Sequence, residues 1–256
     1  MTQPSQNFNL LGVNVSAINL PLALQTIDDW ITRSEQHYVC VTGVHGLIES
    51  QHDEALRQIH NRAGMVTPDG MPLVWLGKAR GHKGIARVYG PDLMLALCNS
   101  DKPYRHFLFG STPEVLDNLS ANLCRHNPNL QIVGQHSPPF RALTQEEDLS
   151  LIQAINQCTP DIVWVGLSTP KQEHWMAEHV GKLNAAVLIG VGAAFDFHAG
   201  MKTQAPRWMQ RNGFEWLFRL ITEPKRLWRR YLINNPQFIA LILAQALGLK
   251  RWPIES

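Results

Sequence analysis

The chain has 256 residues, 45% hydrophobic and 17% charged, with 23 Lys+Arg against 21 Asp+Glu and a formal net charge of +2. That length suits one large or two small domains, and the composition excludes a disordered chain, a collagen-like repeat and a coiled coil. The near-balanced charge excludes a nucleic-acid coat, and four well-separated cysteines without a CxxC pair fit reduced thiols rather than a disulfide frame or zinc ribbon.

In chain order, Met1–Asn9 is polar and lacks the basic start and apolar run of an export signal, so a protein kept in the cytoplasm is expected. Leu10–Ile18 reads as a hairpin. Strands are expected at Tyr38–Thr42, Gly64–Thr67, Arg105–Gly110, Leu130–Gly134, Asp161–Gly166 and Ala186–Gly192. Helices are expected at Pro21–Arg33, Gly46–Arg62, Pro113–His126, Glu146–Gln157 and Pro170–Leu183. Runs such as Ile162-Val163-Trp164-Val165 are apolar at successive positions, as in strands buried on both faces. The alternation implies an α/β fold: a parallel sheet with helices on both faces and right-handed crossovers.

The pattern changes near residue 205, which divides a body (1–204) from a helical C-terminal appendage (205–256). Three helical pieces are expected there, separated at Thr222-Glu223-Pro224 and at Asn234-Asn235-Pro236. The apolar stretch Phe238–Leu249 is shorter than the roughly 20 residues of a membrane span, and it suits packing against a second copy of the chain.

Two strand-to-helix turns resemble each other: Gly110-Ser111-Thr112-Pro113 and Gly166-Leu167-Ser168-Thr169-Pro170. Each combines a glycine at the strand end, hydroxyls at the helix cap and a proline at the first helical position. Such turns are either ordinary caps or, with free N–H groups facing outward, phosphate sites. Asp69, in Thr67-Pro68-Asp69-Gly70, follows a buried strand and reads either as a general base or as an Asp-Gly turn. Asp196, in Phe195-Asp196-Phe197, could accept hydrogen bonds from a base or ribose or cap a turn. Lys171 and Gln172 open a helix beside any anion bound there. Trp175 reads as core. Arg226, Arg229 and Arg230 share a helix face in the appendage, joined by Arg219 and Lys225 and interleaved with Leu227, Trp228 and Tyr231. That face reads as a phosphate grip, an anionic-membrane surface or a solvated face with snorkelling arginines. No GxGxxG, P-loop or Asp-x-Asp motif occurs. His45 and His198 read as structural.

Together these segments resemble the WecG/TagA/CpsF glycosyltransferases. The matching stretches are Thr67–Met71 with Arg87–Asp92, Phe107–Pro113, Asp161–Trp175, Ile189–Gly200 and Ala205–Tyr231. The resemblance implies a Rossmann-like body whose appendage meets the cytoplasmic face of the plasma membrane. It implies metal-independent, inverting transfer of an N-acetylmannosamine-type sugar from UDP to a polyprenyl-diphosphate-linked acceptor, with no cofactor. By position, Asp69 is the implied base, and Thr42 and Arg87 belong to the same catalytic set. Gln172 and Asp196, with the turns at Gly110, Ser111 and Gly166, would contact the UDP-sugar. Arg219, Arg226 and Arg229 would reach the diphosphate. Val44 stands where the family has asparagine, and Gln204 where it has arginine, and the first change opens the choice of donor sugar. Two other readings are a nicotinamide-dependent oxidoreductase on the same body and a non-enzymatic adaptor docking on membranes.

Overall fold

The computed structural model describes residues 6–254; Met1–Ser5, part of the polar N-terminal stretch read above, and the last two residues lie outside the described residues. The chain opens with the hairpin β1 (Asn7–Leu10) and β2 (Val13–Ser16), turning at Leu11 and Gly12, both at positive φ. It continues through α1 (Leu20–Arg33), β3 (His37–Thr42), α2 (Val44–His52), α3 (Glu54–Arg62), β4 (Met65–Pro68), α4 (Met71–Ala79) and α5 (Gly90–Cys98). Next come β5 (Arg105–Gly110), α6 (Pro113–His126), β6 (Gln131–His136), α7 (Gln145–Gln157), β7 (Ile162–Gly166), α8 (Lys171–His179), β8 (Val187–Gly190) and α9 (Ala194–His198). Three helices close it: α10 (Arg207–Arg211), α11 (Glu215–Thr222) and α12 (Pro224–Ala246).

Strands β3 to β8 form one sheet, ordered β4-β3-β8-β7-β5-β6 and flanked by helices. The pairs β3–β8, β8–β7, β7–β5 and β5–β6 are parallel, which fits a Rossmann-like body. Ile162, Val163, Trp164 and Val165 are all fully buried, as their unbroken apolar run requires.

The chain divides into two compact units. The first comprises the residues up to Leu20, Val41–Tyr89 and Gln204 onward, with Leu10, Val13, Leu47, Leu56 and Leu73 in its core. The second comprises Pro21–Cys40 and Gly90–Thr203, with Ile27, Leu119, Ile155 and Trp164 in its core.

The local differences from expectation have physical causes. The helix expected over Gly46–Arg62 breaks at Asp53, whose carboxylate accepts the Leu56 N–H at 3.0 Å and so caps α3. Helices α4 and α5 were not expected. Their sequences, Met71–Ala79 and Gly90–Cys98, are apolar nearly all round and carry no clear helical period. The break expected at Asn234-Asn235-Pro236 is absent, because Pro236 sits inside continuous α12. The proline removes one backbone bond, while the buried Leu227 and Phe238 hold the turns on either side and α12 packs along α2. The piece before Thr222 divides instead at Gly213, whose φ of +76° ends α10 and begins the turn into α11.

Candidate active site

In the first unit, β4 ends at Pro68 and the chain is pinned there. The Asp69 N–H donates to the Thr42 carbonyl at 3.0 Å, and the Val88 N–H donates to the Pro68 carbonyl at 3.0 Å. Asp69 thus stands just past the carboxyl ends of β3 and β4, where α/β sheets place ligands. The Thr42 side chain turns away into the core. Its hydroxyl lies 3.0 Å from His60 Nε2, while His60 Nδ1 lies 2.9 Å from the Leu56 carbonyl. The carbonyl can only accept, so Nδ1 carries the proton and the Thr42 hydroxyl donates to Nε2.

Arg87 binds the loop that carries the acid. Its Nε donates to the Asp69 carbonyl, and its guanidinium carbon sits 4.0 Å from the centre of the Tyr89 ring. Its Nη2 lies 2.6 Å from Glu215 Oε2 on α11 and 3.7 Å from Asp69 Oδ1. Asp69 Oδ1 is sealed from solvent without a hydrogen-bond partner. Burial pushes the Asp69 carboxyl up to about 6, with Arg87 pulling down and Glu215 pushing up. Burial and the same two acids push the Tyr89 phenol upward. For Arg87, burial works against the charge, but Asp69 and Glu215 more than offset it.

Asp69, Arg87 and Glu215 line a cavity of about 800 Å³. Arg219 from α11 and Arg230 from α12 line it too, and its apolar walls include Trp75, Leu76, Trp216, Leu232, Ile239 and Leu243. His45, at the start of α2, also faces it. Burial first, then Arg230 and Arg219, pull its imidazole down to about 3, so it is neutral at physiological pH.

In the second unit, the two glycine turns differ. Gly110 has φ +125°, and a Cβ there would meet the backbone of Gly166 at 2.7 Å. Ser111 follows at φ +57°, Thr112 accepts the Val115 N–H at 3.4 Å, and Pro113 opens α6 as the sequence predicts. At the other turn the expected hydroxyl cap is not formed. Pro170 itself stands at the cap and α8 begins at Lys171. The cause is Glu173, fully buried, whose Oε1 accepts the Thr169 hydroxyl at 2.9 Å and Gln172 Nε2 at 3.1 Å. Gln172 is 3% exposed with Oε1 unpartnered, against Gly190 and Gly192. Asp196 pairs with Lys202 Nζ at 2.6 Å. Trp175 is core, stacked on Phe109 and His179. His198 is structural, its Nε2 2.9 Å from the Pro91 carbonyl.

The structure therefore brings Asp69, Arg87 and Arg219 to one cavity, and joins Thr42 to it through its backbone. Gly110 and Gly166 touch in the second unit, which also holds Ser111, Gln172 and Asp196. Arg226 and Arg229 do not line the cavity. Arg226 pairs with Glu223 at 2.6 Å, and Arg229 lies 5.3 Å from the Trp228 ring. Sequence reasoning did not select Glu215 or His45, and it placed Arg230 on the basic face without separating it from Arg226 and Arg229. Signals existed for Glu215 and Arg230. Glu215 and Arg219 are i, i+4 on one helix, and Arg230 falls on the inward stripe Leu227, Arg230, Asn234, Phe238. Among the described residues, no three His, Cys, Asp or Glu side chains group as metal ligands, and no helix is long and apolar enough to cross a membrane.

The chain is similar to known proteins along most of its length. The profile of the Glycosyl transferase WecG/TagA/CpsF family matches residues 8–252. A protein of Bacillus subtilis (strain 168), 27% identical over 89% of this chain and 90% of its own, is an N-acetylglucosaminyldiphosphoundecaprenol N-acetyl-beta-D-mannosaminyltransferase. Proteins of the same name from Bacillus spizizenii and from Staphylococcus aureus (strain NCTC 8325) are each 28% identical. The first match covers 76% of this chain and 74% of the relative, the second 69% and 68%. A match along nearly the whole chain sets aside the oxidoreductase and adaptor readings: the chain belongs to the WecG/TagA/CpsF family of glycosyltransferases.

Proposed function

We propose that the protein transfers an N-acetylmannosamine-type sugar from a UDP-sugar to a polyprenyl-diphosphate-linked acceptor in cell-surface polysaccharide synthesis, with inversion and without a metal. The observation that carries this reading is Asp69, an acid raised to about 6 on the wall of a mostly apolar cavity also lined by Arg87, Arg219 and Arg230. Such an acid is ionised at neutral pH yet basic enough to take a proton. The names of the relatives support the acceptor.

In this mechanism an acceptor hydroxyl attacks the anomeric carbon and its proton passes to Asp69. The bond from that carbon to the UDP oxygen breaks on the opposite face, and UDP leaves with the electron pair. Arg87 orients the Asp69 loop. The turns at Gly110, Ser111 and Gly166 offer backbone N–H groups and helix N-termini to the nucleotide phosphates. Gln172 and Asp196 contact the uridine or the sugar. Val44 lines the cavity and presents an apolar wall where the family has a polar one.

The segment from about residue 205 serves as lid and membrane contact on the cytoplasmic face. Ile221, Leu247 and Leu249 are 69%, 71% and 77% exposed, beside Lys225, Arg226, Arg229, Lys250 and Arg251. Apolar side chains rimmed by cations suit an anionic lipid surface. The test is a panel of UDP-sugars with a lipid-linked GlcNAc acceptor, with and without EDTA. Transfer from UDP-N-acetylmannosamine or a close relative, unchanged by EDTA, is expected. No transfer from any UDP-sugar overturns the reading, and loss in EDTA with rescue by Mg²⁺ overturns its metal-free part.

A further inference from the structure

We propose that Arg230 is an anion-binding residue of the cavity beside Asp69, and that it holds a phosphate whose organic group is a long apolar chain. This deepens the reading above and rests on it for the identity of the acceptor.

The neighbouring arginines are engaged. Arg87 holds both Asp69 and Glu215, Arg226 holds Glu223, and Arg229 lies over Trp228 at the surface. Arg230 differs from all three. Among the described residues no hydrogen bond or ion pair reaches its guanidinium, its Nε is sealed from solvent, and its nearest ring is Tyr231 at 5.9 Å. It faces the cavity from the inward stripe of α12, between the buried Leu227 and Phe238. Its Nε is withdrawn from water without a partner while the rest of the fork faces the cavity, so an anion entering there meets a cation that no described protein group neutralises. Burial accordingly makes its proton easier to lose than that of an ordinary arginine. The planar fork of arginine matches phosphate oxygens in pairs.

The walls decide what the phosphate is attached to. Inorganic phosphate gains nothing from Trp75, Leu76, Trp216, Ile239 and Leu243, and a nucleotide base could stack on the two tryptophans alone, whereas a chain of isoprene units covers the aliphatic wall as well. The sugar to be extended would then lie on the Asp69 side, with the lipid along the α4 and α12 walls.

The test measures binding of farnesyl diphosphate, farnesol and inorganic diphosphate to the full-length wild type and to Arg230→Gln, Arg230→Lys, Arg226→Gln and Arg229→Gln. Farnesyl diphosphate should bind Arg230→Gln at least about tenfold more weakly, in the range of a lost charged hydrogen bond. Arg230→Lys should recover part of the loss, farnesol should be unaffected, and Arg226→Gln and Arg229→Gln should lose less. In the transfer assay the acceptor KM should rise for Arg230→Gln while the UDP-sugar KM holds. Thermal unfolding of Arg230→Gln should be no lower than that of wild type, since the change removes a half-buried cation that no described protein group pairs. Unchanged farnesyl diphosphate affinity in Arg230→Gln overturns the proposal. So does a larger loss in Arg226→Gln or Arg229→Gln, or Arg230-dependent competition by phosphatidylglycerol vesicles, which would assign the site to bulk lipid. If wild type transfers from no UDP-sugar, the functional reading fails, while the farnesyl diphosphate binding still decides the role of Arg230.

Discussion

Arg87 and Glu215 lie 128 positions apart in sequence, yet Arg87 Nη2 donates to Glu215 Oε2 at 2.6 Å with both side chains largely buried. The same guanidinium holds the Asp69 loop through the Asp69 carbonyl. The ion pair therefore ties the Asp69 loop to helix α11 of the C-terminal segment. It also biases the protonation of Asp69, which burial raises first, because Glu215 shares Arg87 with it.

Glu215→Gln removes a negative charge that pushes Asp69 up and frees Arg87 to pull it down, so the Asp69 pKa falls. In wild type the acid limb of kcat/KM should have its midpoint near pH 6. In Glu215→Gln that limb should move to lower pH, with lower activity on the plateau because Arg87 is no longer held from both sides. Glu215→Asp should return the limb part of the way. A pH–rate profile that does not move shows that Glu215 is structural only.

Asp69→Asn should stabilise the fold at alkaline pH. The carboxyl is raised from 3.8 to about 6, so the native state binds the proton more tightly than the unfolded chain. The ionised acid therefore costs stability above about pH 6, and the cost fades as pH falls from there toward 3.8. Thermal melts should place the variant above wild type at about pH 8 and close the gap by about pH 4. A variant that melts lower at alkaline pH contradicts this.

Thr42→Val keeps the shape of β3 but leaves His60 Nε2 buried without its donor. The expected loss is about 1–3 kcal/mol in urea unfolding. Thr42→Ser, which keeps the hydroxyl, should lose less. Equal losses would show that packing, not the hydrogen bond, is what matters.

Gly110→Ala should cost more than about 3 kcal/mol, the sum of a left-handed backbone and overpacking against Gly166. Circular dichroism melts measure this, and near wild-type stability would show that the two turns part easily.

The sequence pattern carried the sheet well. Unbroken apolar runs such as Ile162–Val165 mark buried strands whatever their neighbours, and even the less buried β6 falls close to its expected place. It carried the helices less well where period and polarity are weak, as in α4 and α5, and where one side chain decides, as with Asp53 between α2 and α3. The strand end and glycine around Asp69 marked it as a candidate to face a cavity, as it does, but left it open between a base and an Asp-Gly turn. Glu215 was legible only as the i, i+4 neighbour of Arg219, because its link to Arg87 comes from tertiary folding. The arginines of the C-terminal segment show the same limit. Charge alone favours Arg226 and Arg229 as much as Arg230, and the phase of the apolar stripe in α12, fixed by Leu227 and Phe238, turns Arg230 inward.

The most direct measurement is the turnover of Asp69→Asn with a UDP-sugar and a lipid-linked GlcNAc acceptor, alongside binding of each substrate. The expected result is a fall of about 10²–10⁴-fold in kcat, the usual contribution of a general base, with both substrates still bound. Turnover near that of wild type would show that Asp69 does not take the proton.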